Sequence, residues 1–127
     1  MLDVLIMLNT VVRRIIIKPS SAKNKGRRFQ QEIRDVILEA FPSLHADDVR
    51  STSMGAPGED ITLSHAARIA FPYSVECKNV ERLNIWEAIG QAKENSAGHT
   101  PLVAMKKNNH EAWVAIPLEK FIELIRE

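Results

Sequence analysis

The chain has 127 residues, 45% of them apolar and 26% charged, with a formal net charge of +1. That apolar share over that length supports one compact core and excludes a disordered tail, a collagen-like repeat and a two-domain enzyme. The single cysteine, Cys77, has no partner within the chain, which excludes a disulfide-stapled secreted scaffold and points to a reducing, cytoplasmic setting.

The first residues are apolar, but Asp3 stands where a secretory signal needs positive charge, and the run breaks at Asn9-Thr10 and Arg13-Arg14. It falls short of the roughly 20 apolar residues that span a bilayer, so no signal peptide and no membrane helix is expected. Residues 2–8 and 15–17 fit two strands or one helix equally, and Met7 is a possible alternative start. Charge is strongly uneven beyond this point. Positions 13–34 hold eight basic residues, Arg13, Arg14, Lys18, Lys23, Lys25, Arg27, Arg28 and Arg34, against the one acid Glu32, while the rest of the chain holds nine basic and fifteen acidic groups. A basic arm on an acidic body suits a polyanion, because each Lys or Arg set on a phosphate releases condensed counterions.

Residues 19–26 are polar and read as a flexible arm, so that 1–28 form an apolar start and basic arm and 29–127 a single core domain. Apolar positions Phe29, Ile33, Val36, Ile37, Ala40 and Phe41 form one stripe of a helix that Pro42 ends. Glu32 flanks that stripe. Residues 43–59 turn small and polar, a long loop containing Ser53, and long loops in compact domains are usually functional. Asp60 heads a short strand, Ile61-Thr62-Leu63. Ser64 caps a helical turn over 65–70, and a second strand covers 73–78. Asn84 with Glu87 three residues on starts a helix carrying Ile85, Trp86, Ala88, Ile89 and Ala92 on its apolar side, with Gln91 free to face a site. A strand over 101–105, a turn at Asn108-Asn109 and a returning strand over 112–116 follow. Pro117 begins a last helix whose buried side is expected to be Leu118, Phe121, Ile122 and Ile125. The order helix, strand, strand, helix, strand, strand, helix predicts a mixed sheet flanked by helices, a three-layer α/β domain. Trp86 and Trp113 fall at apolar positions and read as core or interface anchors.

The chemistry concentrates in Val75-Glu76-Cys77-Lys78. The period of two in a strand sends Glu76 and Lys78 to one face and Val75 and Cys77 to the other. A Glu-x-Lys alone carries little, but Asp60 at the head of the preceding strand can return next to Glu76. Two carboxylates at strand ends suit a hard cation such as Mg²⁺. The histidines His45, His65, His99 and His110 lack zinc-type spacing. Lys78 beside such a cation would orient or deprotonate a water and offset charge on a phosphate.

Gly58-Glu59-Asp60 followed by Glu76-Cys77-Lys78, with a preceding helix bearing Glu32 and a following one bearing Gln91, resembles the PD-(D/E)xK nuclease superfamily. Within it, the pattern looks like the small Holliday junction resolvases of archaeal and phage type, over roughly residues 23–116. The resemblance implies a restriction-endonuclease-like fold and an Mg²⁺-dependent endodeoxyribonuclease, with Mn²⁺ as a substitute, acting on four-way DNA junctions as a homodimer in a prokaryotic or phage-infected cell. It implies that Glu32 is the first-helix glutamate, that Asp60, Glu76 and the carbonyl of Cys77 hold the metal, and that Lys78 is the catalytic lysine with Gln91 beside it. Ser53 resembles the loop serine near the scissile bond. Arg13, Arg14, Lys18, Lys23, Lys25, Arg27, Arg28, Lys106 and Lys107 would contact DNA phosphates. Glu59 is a second candidate ligand, since a literal Pro-Asp pair is missing. A restriction-like or repair nuclease acting on duplex or flap DNA is the alternative, and a non-catalytic DNA-binding module a further one.

Overall fold

A computed structural model describes residues 22–126. Residues 2–8 and 15–17, for which strands or a helix are expected, and the expected phosphate contacts Arg13, Arg14 and Lys18 lie outside the described residues. Helix α1, Ala22–Ala40, carries the expected stripe, but it begins well before Phe29. The polar stretch read as a flexible arm is thus in part helix, and Lys23, Lys25, Arg27 and Arg28 occupy its first two turns. Helix-forming Ala, Lys and Arg around Gly26 outweigh that glycine's cost of about 1 kcal/mol.

Residues 43–59 are likewise more ordered than a loop. A 3₁₀ turn at Ala46–Asp48 leads into strand β1, Val49–Ser51, which pairs antiparallel with β2, Ile61–Leu63. Three residues are too few to show alternation, so sequence periodicity missed β1. Ser64 caps α2, His65–Ala70, by accepting the Ala67 N–H at 3.1 Å. Strand β3, Tyr73–Asn79, runs parallel to β4, Thr100–Lys106, with Glu76 opposite Val103. Parallel neighbours need a crossover. Helix α3, Ile85–Glu94, provides it, capped by Asn84, which accepts the Glu87 N–H at 3.2 Å. A turn with Asn109 at φ +62 reverses the chain into β5, Trp113–Ala115, antiparallel to β4. Helix α4, Leu118–Arg126, closes the described chain.

The β1–β2 ribbon and the mixed three-stranded sheet β3-β4-β5 meet at one residue: the Asp60 N–H donates to Val75 O at 3.0 Å. Neighbours along β4 take opposite faces. Leu102 and Ala104 join Phe29, Ile37, Val49, Ile61 and Val75 in the main core under α1, whereas Val103 packs with Ala88 and Ala92 of α3. Helices therefore cover both faces of the mixed sheet, in an α/β architecture.

Burial departs from expectation at two places. Trp86 and Trp113 are 78% and 65% exposed, which removes the core half of the core-or-interface expectation. The apolar side of α4 is not buried either: Leu118, Phe121, Ile122 and Ile125 are all exposed. A stripe at helical spacing indicates that a helix has an apolar face, not that its own domain covers it.

Candidate active site

Asp60 is held by its backbone on both sides. Its N–H bonds the β3 carbonyl of Val75, and its C=O accepts from Thr52 N at 2.9 Å at the end of β1. This fixes the side chain against β3, where Oδ2 accepts the Cys77 N–H at 2.7 Å. That N–H belongs to the peptide joining Glu76 to Cys77, so the two carboxylates stand side by side. In a strand the N–H and C=O of one residue point to the same edge. The Cys77 carbonyl consequently faces the Asp60 edge as well.

Glu76 and Lys78 project together as period two requires, with Lys78 Nζ 3.3 Å from Glu76 Oε2. The other oxygen, Glu76 Oε1, accepts from Asn95 Nδ2 at 3.5 Å. Asn95 caps the C-terminus of α3, and Gln91 lies one turn earlier, its carbonyl accepting the Asn95 N–H at 3.0 Å. Asn95, rather than Gln91, is thus the helix residue bonded to the carboxylate. Only its position at a helix end could have pointed to it.

Burial pushes the Asp60 carboxyl up to about 6, and the Glu76 charge adds to this, while the Cys77 N–H and Lys78 pull it down. Burial also drives the Cys77 thiol well up, so it is a packing group, in line with its place against the main core. Among the described residues no group of three or more His, Cys, Asp or Glu side chains gathers to hold a metal. Two carboxylates and a carbonyl, all oxygen donors, leave the remaining positions to water and substrate, which is the pattern Mg²⁺ takes. Burial raises Asp60 most and the Glu76 charge adds a smaller repulsion, and a divalent cation held by the two carboxylates would offset both.

Glu59 forms an ion pair through Oε1 with Arg68 of α2, a partner unnoticed in the sequence, while its Oε2 is buried with no hydrogen-bond partner among the described residues. Ser53 is exposed in the 52–59 loop, where its carbonyl accepts Ala56 N at 3.0 Å and Gly55 and Gly58 adopt φ of +84 and +94.

Glu32 is 3% exposed, with no hydrogen-bond partner for either oxygen among the described residues, and the charges that act on it are Lys106 and Asp35. Burial pushes its carboxyl up to about 7, opposed by Lys106. Lys106 itself is 6% exposed and stands opposite Asn79 in the ladder. It is therefore not a surface contact for phosphate, contrary to the sequence reading, whereas Lys107 is exposed. The α1 side chain that reaches toward the β1 end near Asp60 is Gln30, whose Oε1 accepts from Ser51 Oγ at 3.1 Å. Of the other α1 cations, Lys25 pairs with Glu81 at 3.5 Å, and Lys23 and Arg27 are exposed.

Comparison of the chain with protein-family models, with curated proteins and with solved structures finds no match. Among the described residues no helix is long and apolar enough to cross a membrane.

Proposed function

We propose that this chain is a Mg²⁺-dependent DNA endonuclease of PD-(D/E)xK type, with a restriction-endonuclease-like arrangement of its sheet. We propose that it resolves four-way junctions by paired nicks. The observation that carries the reading is the Asp60 carboxylate bonded to the peptide between Glu76 and Cys77, with Lys78 beside Glu76. When bound, a divalent cation at Asp60 and Glu76 would supply Lewis acidity to a phosphodiester. The chain's own groups do the positioning. Asp60 and Glu76 provide fixed oxygens, Lys78 orients an attacking water and offsets phosphate charge, and Asn95 holds Glu76. The nicks would carry 5′-phosphates. Glu32 takes no part in this scheme.

Lys23, Arg27, Arg28 and Lys107, with Arg13, Arg14 and Lys18 of the preceding segment, would set the enzyme on DNA phosphates without reading sequence. A four-way junction offers two symmetry-related strands, which a two-fold homodimer matches with one site per strand. The setting would be a prokaryotic or phage-infected cell.

The test is strand-specific cleavage of a fixed four-way junction with and without Mg²⁺, beside a flap and a linear duplex. Symmetric nicks near the branch point, dependent on Mg²⁺ or Mn²⁺, are expected. Equal rates on all three substrates would reassign the chain to a duplex or flap nuclease. No cleavage together with no Mg²⁺ uptake by calorimetry, DNA present, would leave a binding module.

A further inference from the structure

Helix α4 has nine residues, five of them large and apolar, and none of the nine is buried. It packs at most lightly against the other elements of the described residues. A helix this short is marginal in water on its own and owes its stability to packing of its apolar face. Something must therefore cover Leu118, Phe121, Ile122 and Ile125, which recur at i, i+3, i+4 and i+7.

A complementary surface lies at the root of the same helix. Trp86, Ile89 and Ala92 of α3, Val103 of β4, Ala115 of β5 and Leu118 line an apolar groove of about 650 Å³. One chain thus holds both an uncovered amphipathic helix and an apolar groove, which is what an isologous two-fold interface requires. We propose that two copies of this chain associate by each laying α4 into the other's groove, with Trp86 and Phe121 as the central anchors.

Area and charge both fit a second copy. The five apolar side chains of α4, with Trp86, are 47% to 78% exposed. At about 150–250 Å² for a large side chain, that amounts to roughly 700 Å², close to the figure of about 800 Å² per partner in a standard interface. Lys93 stands on the groove wall and Glu119 flanks the α4 stripe, so exchange brings this pair of opposite charges to the rim, while Glu123 lies away from the stripe and pairs with Lys120 of its own helix.

This interface supplies the surface for the homodimer in the nuclease reading, and rests on that reading only for the use made of the dimer. The test is sedimentation velocity on the full chain at tens of micromolar. The wild type is expected at twice 14.3 kDa. A Phe121→Glu/Ile122→Glu double variant is expected at the single mass with unchanged circular dichroism, since both side chains are already exposed. Should that variant misfold, mixing full-length Ile89→Cys and Ile125→Cys chains, both carrying Cys77→Ser, under oxidation gives a second readout: a disulfide between the two chains. A wild-type monomer, or a dimer that survives the double variant and forms no such disulfide, overturns the proposal. Junction cleavage by a monomeric wild type would sink the interface alone, and a dimer that never cleaves would sink the nuclease reading alone.

Discussion

Asp60 Oδ2 accepts the backbone N–H of Cys77 at 2.7 Å, so the first carboxylate is tied to the peptide that carries the second. The bond survives in Asp60→Asn, whose amide oxygen still accepts, while the negative charge is lost. Single-turnover junction cleavage is therefore expected to fall at least about 10²-fold in Asp60→Asn, Glu76→Gln or Lys78→Ala, a typical loss when one charge-stabilising group is removed. Gel-shift affinity for the junction should stay close to wild type. Full nicking by purified Asp60→Asn would remove the metal scheme.

Asn95 has a smaller and more specific part. Its amide meets only one oxygen of Glu76, at 3.5 Å, so Asn95→Ala should weaken Mg²⁺ use rather than abolish cleavage. Partners that orient metal ligands are commonly worth about 10–100-fold, and this long bond belongs at the low end. A Mg²⁺ titration of the cleavage rate measures it. A lower rate that saturating Mg²⁺ restores is the expected outcome, and an unchanged midpoint would count against the role.

Glu32 gives the fold a pH dependence of known sign. Its carboxyl lies at about 7 in the folded chain and at the ordinary 4.5 unfolded, so the native state binds the extra proton. Stability from this group is complete below about 4.5 and is lost as pH rises toward 7. At 1.36 kcal/mol per unit, the loss is on the order of 3 kcal/mol. Urea unfolding at pH 5 and pH 8 should show that slope in the wild type and a flatter one in Glu32→Gln. Equal slopes would exclude Glu32 as its source.

Packing separates two aromatics that look alike in the sequence. Phe29 is fully buried in the main core, and Phe29→Ala should cost about 3–5 kcal/mol in chemical denaturation. Trp86→Ala, at an exposed position, should change the stability of one chain by less than about 1 kcal/mol. A large loss there at low protein concentration would contradict its exposure.

Phosphate contact by the helix start is checked through salt. Lys23→Ala and Arg27→Ala alter exposed cations in the first two turns of α1. Each should weaken binding to junctions of any sequence and lower the slope of log affinity on log salt by about 1. A sequence-dependent loss, or no change of slope, would show that these side chains do not meet the backbone.

Local chemistry was legible in the sequence wherever the determinants are local. The Ser64 and Asn84 caps, the Asn108-Asn109 turn and the common face of Glu76 and Lys78 follow from spacing alone, and the structure has all of them. What escaped depends on tertiary partners. Strand β1 is too short to show a period and exists because Ile61–Leu63 pairs with it. Glu59 and Asp60 are adjacent carboxylates that their tertiary partners tell apart, Arg68 for the first and the Cys77 N–H for the second. Glu32 and Gln30 stand two residues apart on one helix, and helix phase decides that the first is buried in the field of Lys106 and the second bonds Ser51. The stripe of α4 was read correctly as a stripe and wrongly as buried, because spacing says nothing of which chain lies opposite.

The joint at Asp60 also bears on how descendants of this sequence would be read. Position 60 links the ribbon to the main sheet through its backbone and caps the Cys77 N–H with its side chain, so a lineage that abandoned cutting would still be selected to keep an acceptor there. Among the described residues Lys78 makes no comparable backbone joint, its ion pair being with Glu76. On the proposed nuclease reading, drift at the lysine with the aspartate intact would mark a lineage that had lost cutting.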